Sequence, residues 1–459
     1  MNAGPFHLRD NFSPVDAEHT AHDLDVTGTL PPELTGWYVR NGPNPRTPSA
    51  HWFTGDGMLH AVRLEAGRAA WYRNRWVRTR TFTEGARIYG PDGTRNVSAG
   101  SANTHIVRHA GRTLALVESS LPYEIDCTED GLDTVGPYDF GGRLADSMTA
   151  HPKICPDTGE LHFFGYGSLT PPYVTYHRAD AQGELTVSRP VDVPAHTMMH
   201  DFALTARHVV FMDLPVVFDL EKARSGGSGM PYAFDPSHQA RLGVLRRDDP
   251  HGTIRWFDIA PCYVFHTLNA HEDAAGRIVL HAVRHPHLWW EGHGSADAVL
   301  WRWTLDPVAG AGAVREEQLD DRPCEFPRID DRFAGREVAH GHVTDAAPEG
   351  SGRRSAIVRY GLRGGAGATT PMAPTTETHE FAAGRTPGEA SFVPRADAPS
   401  GSGEGWLLTY VHDATTDRSE LVVLDTADLA GKPVATVHLP WRVPYGFHGN
   451  WLDGGTPVR

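Results

Sequence analysis

Apolar residues along this chain recur in short alternating runs rich in Val, Ile, Tyr, Trp and Phe, separated by turn residues, and not at the spacing of a helix. Residues 57–77 (GMLHAVRLEAGRAAWYRNRWV) read as two strands around Glu65-Ala66-Gly67. Residues 104–119 (THIVRHAGRTLALVES) repeat the device around His109-Ala110-Gly111, residues 153–167 around Asp157 to Gly159, and residues 173–193 around Ala179 to Gly183. Further pairs are predicted over 202–213, 240–259, 262–283, 299–319 and 405–425, the last followed by a strand within 433–440. No amphipathic helix of three turns or more is predicted. Hairpins in such number, without a helical half, predict a closed all-β repeat, either a β-propeller or a stack of sandwiches. The unbroken rhythm favours the propeller.

Glycine and proline supply the turns, and residues 222–236, 361–377 and 395–405 read as long loops that gather on one face as a lid. No linker divides the chain, so residues 1–459 are expected to form one domain, with residues 1–30 as an N-terminal extension. Length alone would allow two or three domains, but large all-β architectures often run long as one unit.

Composition narrows the function classes. With 42 Lys and Arg against 57 Asp and Glu the formal net charge is −15, and no concentrated basic face is present, which argues against a nucleic-acid partner. No stretch approaches the roughly 18 apolar residues of a spanning helix. The opening MNAGPFHLRDNFSPVDAEHT lacks the basic and apolar regions of a signal peptide, so a cytoplasmic location is expected. Cys127, Cys155, Cys262 and Cys324 lie far apart with no C-x-x-C, and read as free thiols. The unusual count is 27 histidines, which raises the chance of a metal site without locating it.

Four histidines stand at the edges of apolar strands in small-residue or aromatic settings: His151 in MTAHPKI, His200 in TMMHDFALT, His266 in YVFHTLNAHE and His448 in YGFHGNW. Their wide spacing excludes a zinc finger. It suits a propeller, in which each blade sends its inner strand to a common axis. Imidazole suits iron, copper, nickel and zinc, and a ligating histidine usually donates its other ring N–H to a carboxylate. Glu118, Glu325 and Glu389 each adjoin an apolar strand, where an unpaired carboxylate is costly. Taken singly, each histidine reads better as a structural residue and each glutamate as a surface ion-pair partner. Tighter rival clusters are His281, His285, His287 and His293, which read as a pocket wall beside Trp289 and Trp290, and His340 with His342.

Eight stretches in order, GWYVRNGPNP (36–45), HWFTGDGMLH (51–60), LALVESSLPYE (114–124), SMTAHPK (147–153), MMHDFALT (198–205), VFHTLNAHE (264–272), CEFPRID (324–330) and RVPYGFHGNW (442–451), together resemble the carotenoid cleavage oxygenase family. The family also contains a retinoid isomerase and stilbene-cleaving oxygenases. The resemblance implies a seven-bladed β-propeller with one non-haem Fe(II) on its axis, held by four histidines, three of them hydrogen-bonded to glutamates. His151, His200, His266 and His448 fall on the ligand positions; Glu118 is implied to orient His200, Glu325 His266, and Glu389 His448. Thr104 matches a residue whose methyl group obstructs one open iron position, the other being left for O2 or water. The implied reaction is oxidative cleavage of a C=C bond to two carbonyl fragments, the alkene lying in an apolar tunnel for which Phe53, Val117, Phe265 and Phe447 are the candidate walls.

Stilbene and isoeugenol cleavers of the family carry a lysine immediately before the first of these glutamates. Val117 stands there in this chain, which points to a carotenoid or apocarotenoid polyene. A stilbene or phenylpropenoid, an isomerase outcome and a non-catalytic propeller remain as alternatives, and the oligomeric state is open. A lipophilic substrate suggests peripheral membrane contact, with Val216, Val217, Phe218, Leu220 and Met230 in residues 213–234 as candidates; packing beneath the lid is the other reading. Gly446 and Gly449 are expected to let the backbone bend close to the axis, with Phe447 walling the cavity.

Overall fold

The computed structural model describes residues 5–128, 131–225, 229–294, 296–308, 314–347, 351–363 and 374–454. The predicted hairpins form because their turns are chemically suited to reverse the chain. Gly57–Glu65 and Arg68–Trp76 are joined by Ala66 and Gly67 at φ 45° and 79°, and His105–His109 and Arg112–Leu116 by Ala110 and Gly111 at φ 48° and 77°. Two successive left-handed residues make the tight turn whose twist matches that of the flanking strands. The pairs at 202–213, 240–259, 262–283, 299–319 and 405–425 likewise align antiparallel.

Among the described residues the strands build seven sheets of four to six strands and one separate two-stranded ribbon, Val216–Phe218 with Tyr232–Phe234. The architecture is a seven-bladed β-propeller, nearly all-β as the alternating pattern predicts. The two α-helices described, Arg80–Glu84 and Leu220–Ser225, are each shorter than two turns. Of the predicted lid loops, residues 226–228 and 364–373 lie outside the described residues.

The chain divides into two compact units, Met1–Gly141, His342–Arg359 and Glu377–Arg459 forming one, and Gly142–Gly341 with Tyr360–Thr376 the other. In the first, strands from both ends of the chain complete the sheets. Gly449–Asp453 pairs with Gly36–Pro43, setting Tyr38 opposite Trp451, while Thr20–His22 pairs with Arg68–Trp76 at the opposite edge. Val26–Gly28 adds to Ala435–His438. Residues 20–28 thus cover the exposed edges of two sheets, where unpaired backbone groups would otherwise invite association. Tyr38, Tyr72, Leu408, Leu421 and Val423 fill one core of this unit. The second unit is centred on Phe164, Tyr176, Phe202, Phe211 and Trp303. All four cysteines are free, three of them buried.

The terminal closure depends on one small residue. A Cβ at Gly36 would stand 2.4 Å from the Leu452 carbonyl oxygen and 2.7 Å from the Trp451 ring. Gly36→Ala is therefore expected to push the C-terminal strand away and lower stability by about 1–3 kcal/mol, the usual cost of overpacking. Thermal unfolding compared with wild type checks this; an unchanged Tm would mean that the strand gives way freely.

Candidate metal centre

Three histidines stand at or near the start of the first strand of successive sheets. His151 precedes Lys153–Ile154, His200 precedes Ala203–Leu204, and His266 lies inside Tyr263–Glu272. His448 immediately precedes Gly449–Asp453, the strand that completes the first sheet. The register of Tyr263–Glu272 against Ile278–His285 shifts on both sides of Thr267, a bulge next to His266. Bulges of this kind re-aim a side chain that a regular ladder would direct elsewhere.

The result is a group of four imidazoles whose candidate ligand nitrogens all lie within 4.8 Å of one another. His151, His266 and His448 are buried and His200 is half-buried. Nε2 of His151 lies 3.0 Å from Nε2 of His200, and the ring centroids are 4.6 Å apart for His151 and His200, 4.9 Å for His151 and His266, and 5.3 Å for His200 and His266. Metal–imidazole bonds of about 2.1 Å put opposite nitrogens roughly 4.2 Å apart, so the set fits one ion after movements of a few tenths of an ångström. Its chemistry fits as well, since all-imidazole donation suits a borderline transition metal.

Carboxylates hold two of these rings from behind. His448 Nδ1 and Glu389 Oε1 are 2.9 Å apart, and the Gly449 N–H donates to Glu389 Oε2 at 2.8 Å. Both side chains are almost fully buried. An ionised carboxylate only accepts, so Nδ1 is the donor and the lone pair of a neutral ring is left on Nε2. His266 Nδ1 stands 2.5 Å from Glu325 Oε2, and His285 Nε2 lies 3.0 Å from Glu325 Oε1. Partial burial pushes the Glu325 carboxyl up, but the imidazoles of His266 and His285 outweigh it and hold the group well below the usual carboxylate range. Phe326 follows in the left-handed region at φ 54°, its N–H donating to Glu325 Oε2 at 2.9 Å and its ring stacked on His266 at 5.7 Å. Such a conformation costs on the order of 1–3 kcal/mol and persists where its surroundings impose it.

The backbone of His448 is tied down too: its N–H donates to the Thr104 carbonyl at 3.1 Å, and its carbonyl accepts from Asn41 N–H at 2.9 Å. Thr104 is buried, with its hydroxyl donating to Asn103 Oδ1 at 3.0 Å. Among the candidate tunnel residues, Phe265 meets the His200 ring edge-on at 5.1 Å, and Phe53 meets Phe447 at 5.6 Å. Val117 is buried and Glu118, just after the strand Arg112–Leu116, is half-buried.

Three sequence readings are sharpened. Neither Gly446 nor Gly449 takes a positive φ; Gly446 is needed because a Cβ there would stand 2.6 Å from the Arg40 guanidinium carbon. His285, read as pocket wall, also touches Glu325, and its ring meets Phe265, one of the candidate tunnel walls, at 5.4 Å. The hairpin carried the signal, because it sets His285 opposite Tyr263, three residues from His266. Val216, a candidate membrane contact, is buried, Val217, Phe218 and Met230 are half-buried, and Phe218 stacks on His196 at 5.0 Å; Leu220 alone of the five is exposed, at 48%. No described helix is long and apolar enough to cross a membrane.

The rival histidines do not join the group. Burial pushes His281 down to about 3, His287 and His293 pack around Trp290, and His342 stacks on Phe392.

Seven sheets and four converging imidazoles define a β-propeller with a four-histidine metal site. The chain belongs to the carotenoid cleavage oxygenase family and is an enzyme of that family: the family model described as retinal pigment epithelial membrane protein matches residues 12–453. A carotenoid cleavage oxygenase of Mycobacterium tuberculosis is 37% identical over 97% of this chain and 97% of its own length. Resveratrol cleavage oxygenase 1 of Aspergillus fumigatus is 35% identical over 96% of this chain and 94% of its own. The crystal structure of a Pseudomonas brassicacearum lignostilbene dioxygenase matches with a TM-score of 0.84 at 29% identity, covering 98% of this chain and 99% of that one.

Proposed function

We propose that this chain is a non-haem iron(II) dioxygenase that cleaves a C=C bond of a carotenoid or apocarotenoid into two carbonyl products, with O2 as co-substrate. The observation that carries the reading is the convergence of four imidazole nitrogens within 4.8 Å, two of the rings being backed by carboxylates. In this reading His151, His200, His266 and His448 are the ligands, Glu325 and Glu389 orient His266 and His448, and Glu118 is assigned to His200. Ferrous iron held there would supply activation of O2 toward an electron-rich alkene.

The chain's own residues bind, orient and exclude. Glu325 and Glu389 keep the ring N–H of their histidines turned away from the centre, so that lone pairs face inward. Thr104, whose hydroxyl is committed to Asn103, offers its methyl group as the obstruction beside the His448 segment. Phe53, Phe265, Phe447 and Val117 provide apolar walls that exclude water and hold a polyene by its π-face. No acidic or basic side chain has to move a proton, because alkene cleavage by O2 places one oxygen atom on each fragment.

Val117 supports a polyene substrate, since a buried apolar side chain offers no cation to a 4-hydroxyl group. The second reading, a stilbene or phenylpropenoid, is favoured by the resveratrol- and lignostilbene-cleaving relatives. Incubating the iron-loaded enzyme with β-apo-carotenals, resveratrol and isoeugenol under labelled O2 separates them. Cleavage of the apocarotenal with label in both fragments is expected. Turnover of the phenols alone would move the assignment to the second reading, an unlabelled rearranged product to an isomerase, and a chain that neither retains iron nor turns over any substrate to a binding propeller. We place the protein in the cytoplasm with at most weak peripheral membrane attachment, to which Leu220 contributes.

A further inference from the structure

The segments carrying His151, His200 and His266 meet at one carboxylate that the ligand set does not include. Asp201, the residue after His200, has a side chain only 1% exposed. Its Oδ1 accepts the Phe202 N–H at 2.7 Å and lies 2.8 Å from Nζ of Lys153, two residues beyond His151. Its Oδ2 accepts from the Thr267 N–H at 2.7 Å and from the Thr267 hydroxyl at 2.8 Å, Thr267 being the residue after His266. The same hydroxyl lies 3.2 Å from the Phe202 carbonyl. A second tie reinforces the first: Thr149 Oγ1 donates to the His200 carbonyl and accepts from the His151 N–H, both at 3.2 Å.

This arrangement answers a need that the fold creates. The ladder between Tyr263–Glu272 and Ile278–His285 breaks around Thr267, so its N–H requires a partner from elsewhere. A buried donor without one costs roughly 1–3 kcal/mol. A carboxylate is acceptor-only and has enough lone pairs for all four donors, whereas an amide would turn an NH2 group toward two of them. Lys153 balances the charge locally, so what Asp201 transmits to the imidazoles is placement.

We propose that Asp201 is a positioning residue of the metal centre, its carboxylate fixing the His151, His200 and His266 segments relative to one another and thereby setting the ligand geometry. The inference rests on reading the four imidazoles as metal ligands. Asp213 provides the control: it is equally buried in the same unit and pairs with His238 and Arg241 at 2.7 and 2.8 Å, neither of which is a ligand or the neighbour of one.

The experiment loads metal-free wild type, Asp201→Asn and Asp213→Asn with cobalt(II) as a probe. Affinity is read by chelator competition, ligand geometry by visible ligand-field absorption, and stability by denaturant unfolding. Both variants are expected to lose stability. Only Asp201→Asn is expected to bind cobalt(II) about 10–100-fold more weakly with altered absorption, the range typical of residues behind metal ligands. Wild-type affinity and spectrum in Asp201→Asn overturn the proposal, as does an equal loss of affinity in Asp213→Asn. Failure of the wild type to bind cobalt(II) overturns the metal reading itself, and the proposal with it. Should Asp201→Asn not fold, Thr267→Val removes one of the four bonds and is expected to weaken binding about threefold; unchanged binding there would equally overturn the proposal.

Discussion

His448→Ala is expected to abolish metal retention together with turnover. His448 is the one member of the group on the chain's last strand segment, and its side chain is 4% exposed. Removing it takes away one of four nitrogen donors and leaves Glu389, almost fully buried, without the ring N–H it faces. A buried carboxylate that loses one of its donors is costly even with the Gly449 N–H retained, so the pocket is driven to rearrange and does not offer a substitute ligand. The loss in affinity should exceed the roughly 100-fold that residues behind the ligands command. Elemental analysis after dialysis against a chelator, beside an apocarotenal cleavage assay, checks both halves. Metal content equal to wild type would make His448 a structural residue and remove it from the ligand set.

Glu389→Gln tests what stands behind that ligand. Glu389 uses one oxygen for His448 and the other for the Gly449 N–H, and it is 2% exposed. The amide has nearly the same shape but keeps a single acceptor, so either the ring or the backbone N–H meets an NH2 group. If the ring loses, its tautomer is no longer set and Nε2 carries a proton part of the time. A fall in metal affinity of about 10–100-fold is expected, with a smaller change in unfolding free energy of about 1–3 kcal/mol. Metal titration by chelator competition and denaturant unfolding on the same sample separate the two. Loss of stability with unchanged metal affinity would leave Glu389 as a support for the Gly449 backbone only.

How much of this was legible beforehand differs from residue to residue. Ala66-Gly67 and Ala110-Gly111 were readable as turns because the information is local: a glycine, which takes the left-handed backbone without strain, between two alternating runs. The role of Gly446 was not, because it depends on the buried guanidinium of Arg40 in a strand some 400 positions away in the numbering. The tie of His285 to Glu325 was not legible for a similar reason. Its neighbours in sequence are His287, Trp289 and Trp290, whereas its neighbour in space is Glu325. In the sequence Asp201 is simply the acidic residue after His200, and only the meeting of Lys153, Phe202 and Thr267 around it reveals the junction.

The sequence by itself determined the strand rhythm, the turns and the ordered motifs that resemble one family, since periodicity two and turn chemistry act within a few residues. The tertiary structure decided which of 27 histidines gather. His266 and His281 sit on paired strands of one hairpin and both carry apolar neighbours, yet His266 turns into the cluster beside a bulge and His281 is buried with its ring kept neutral. That difference comes from a broken ladder and a carboxylate supplied by another segment. Contacts of that kind join residues far apart in the sequence, and no local pattern of hydrophobic and polar positions encodes which of them will meet.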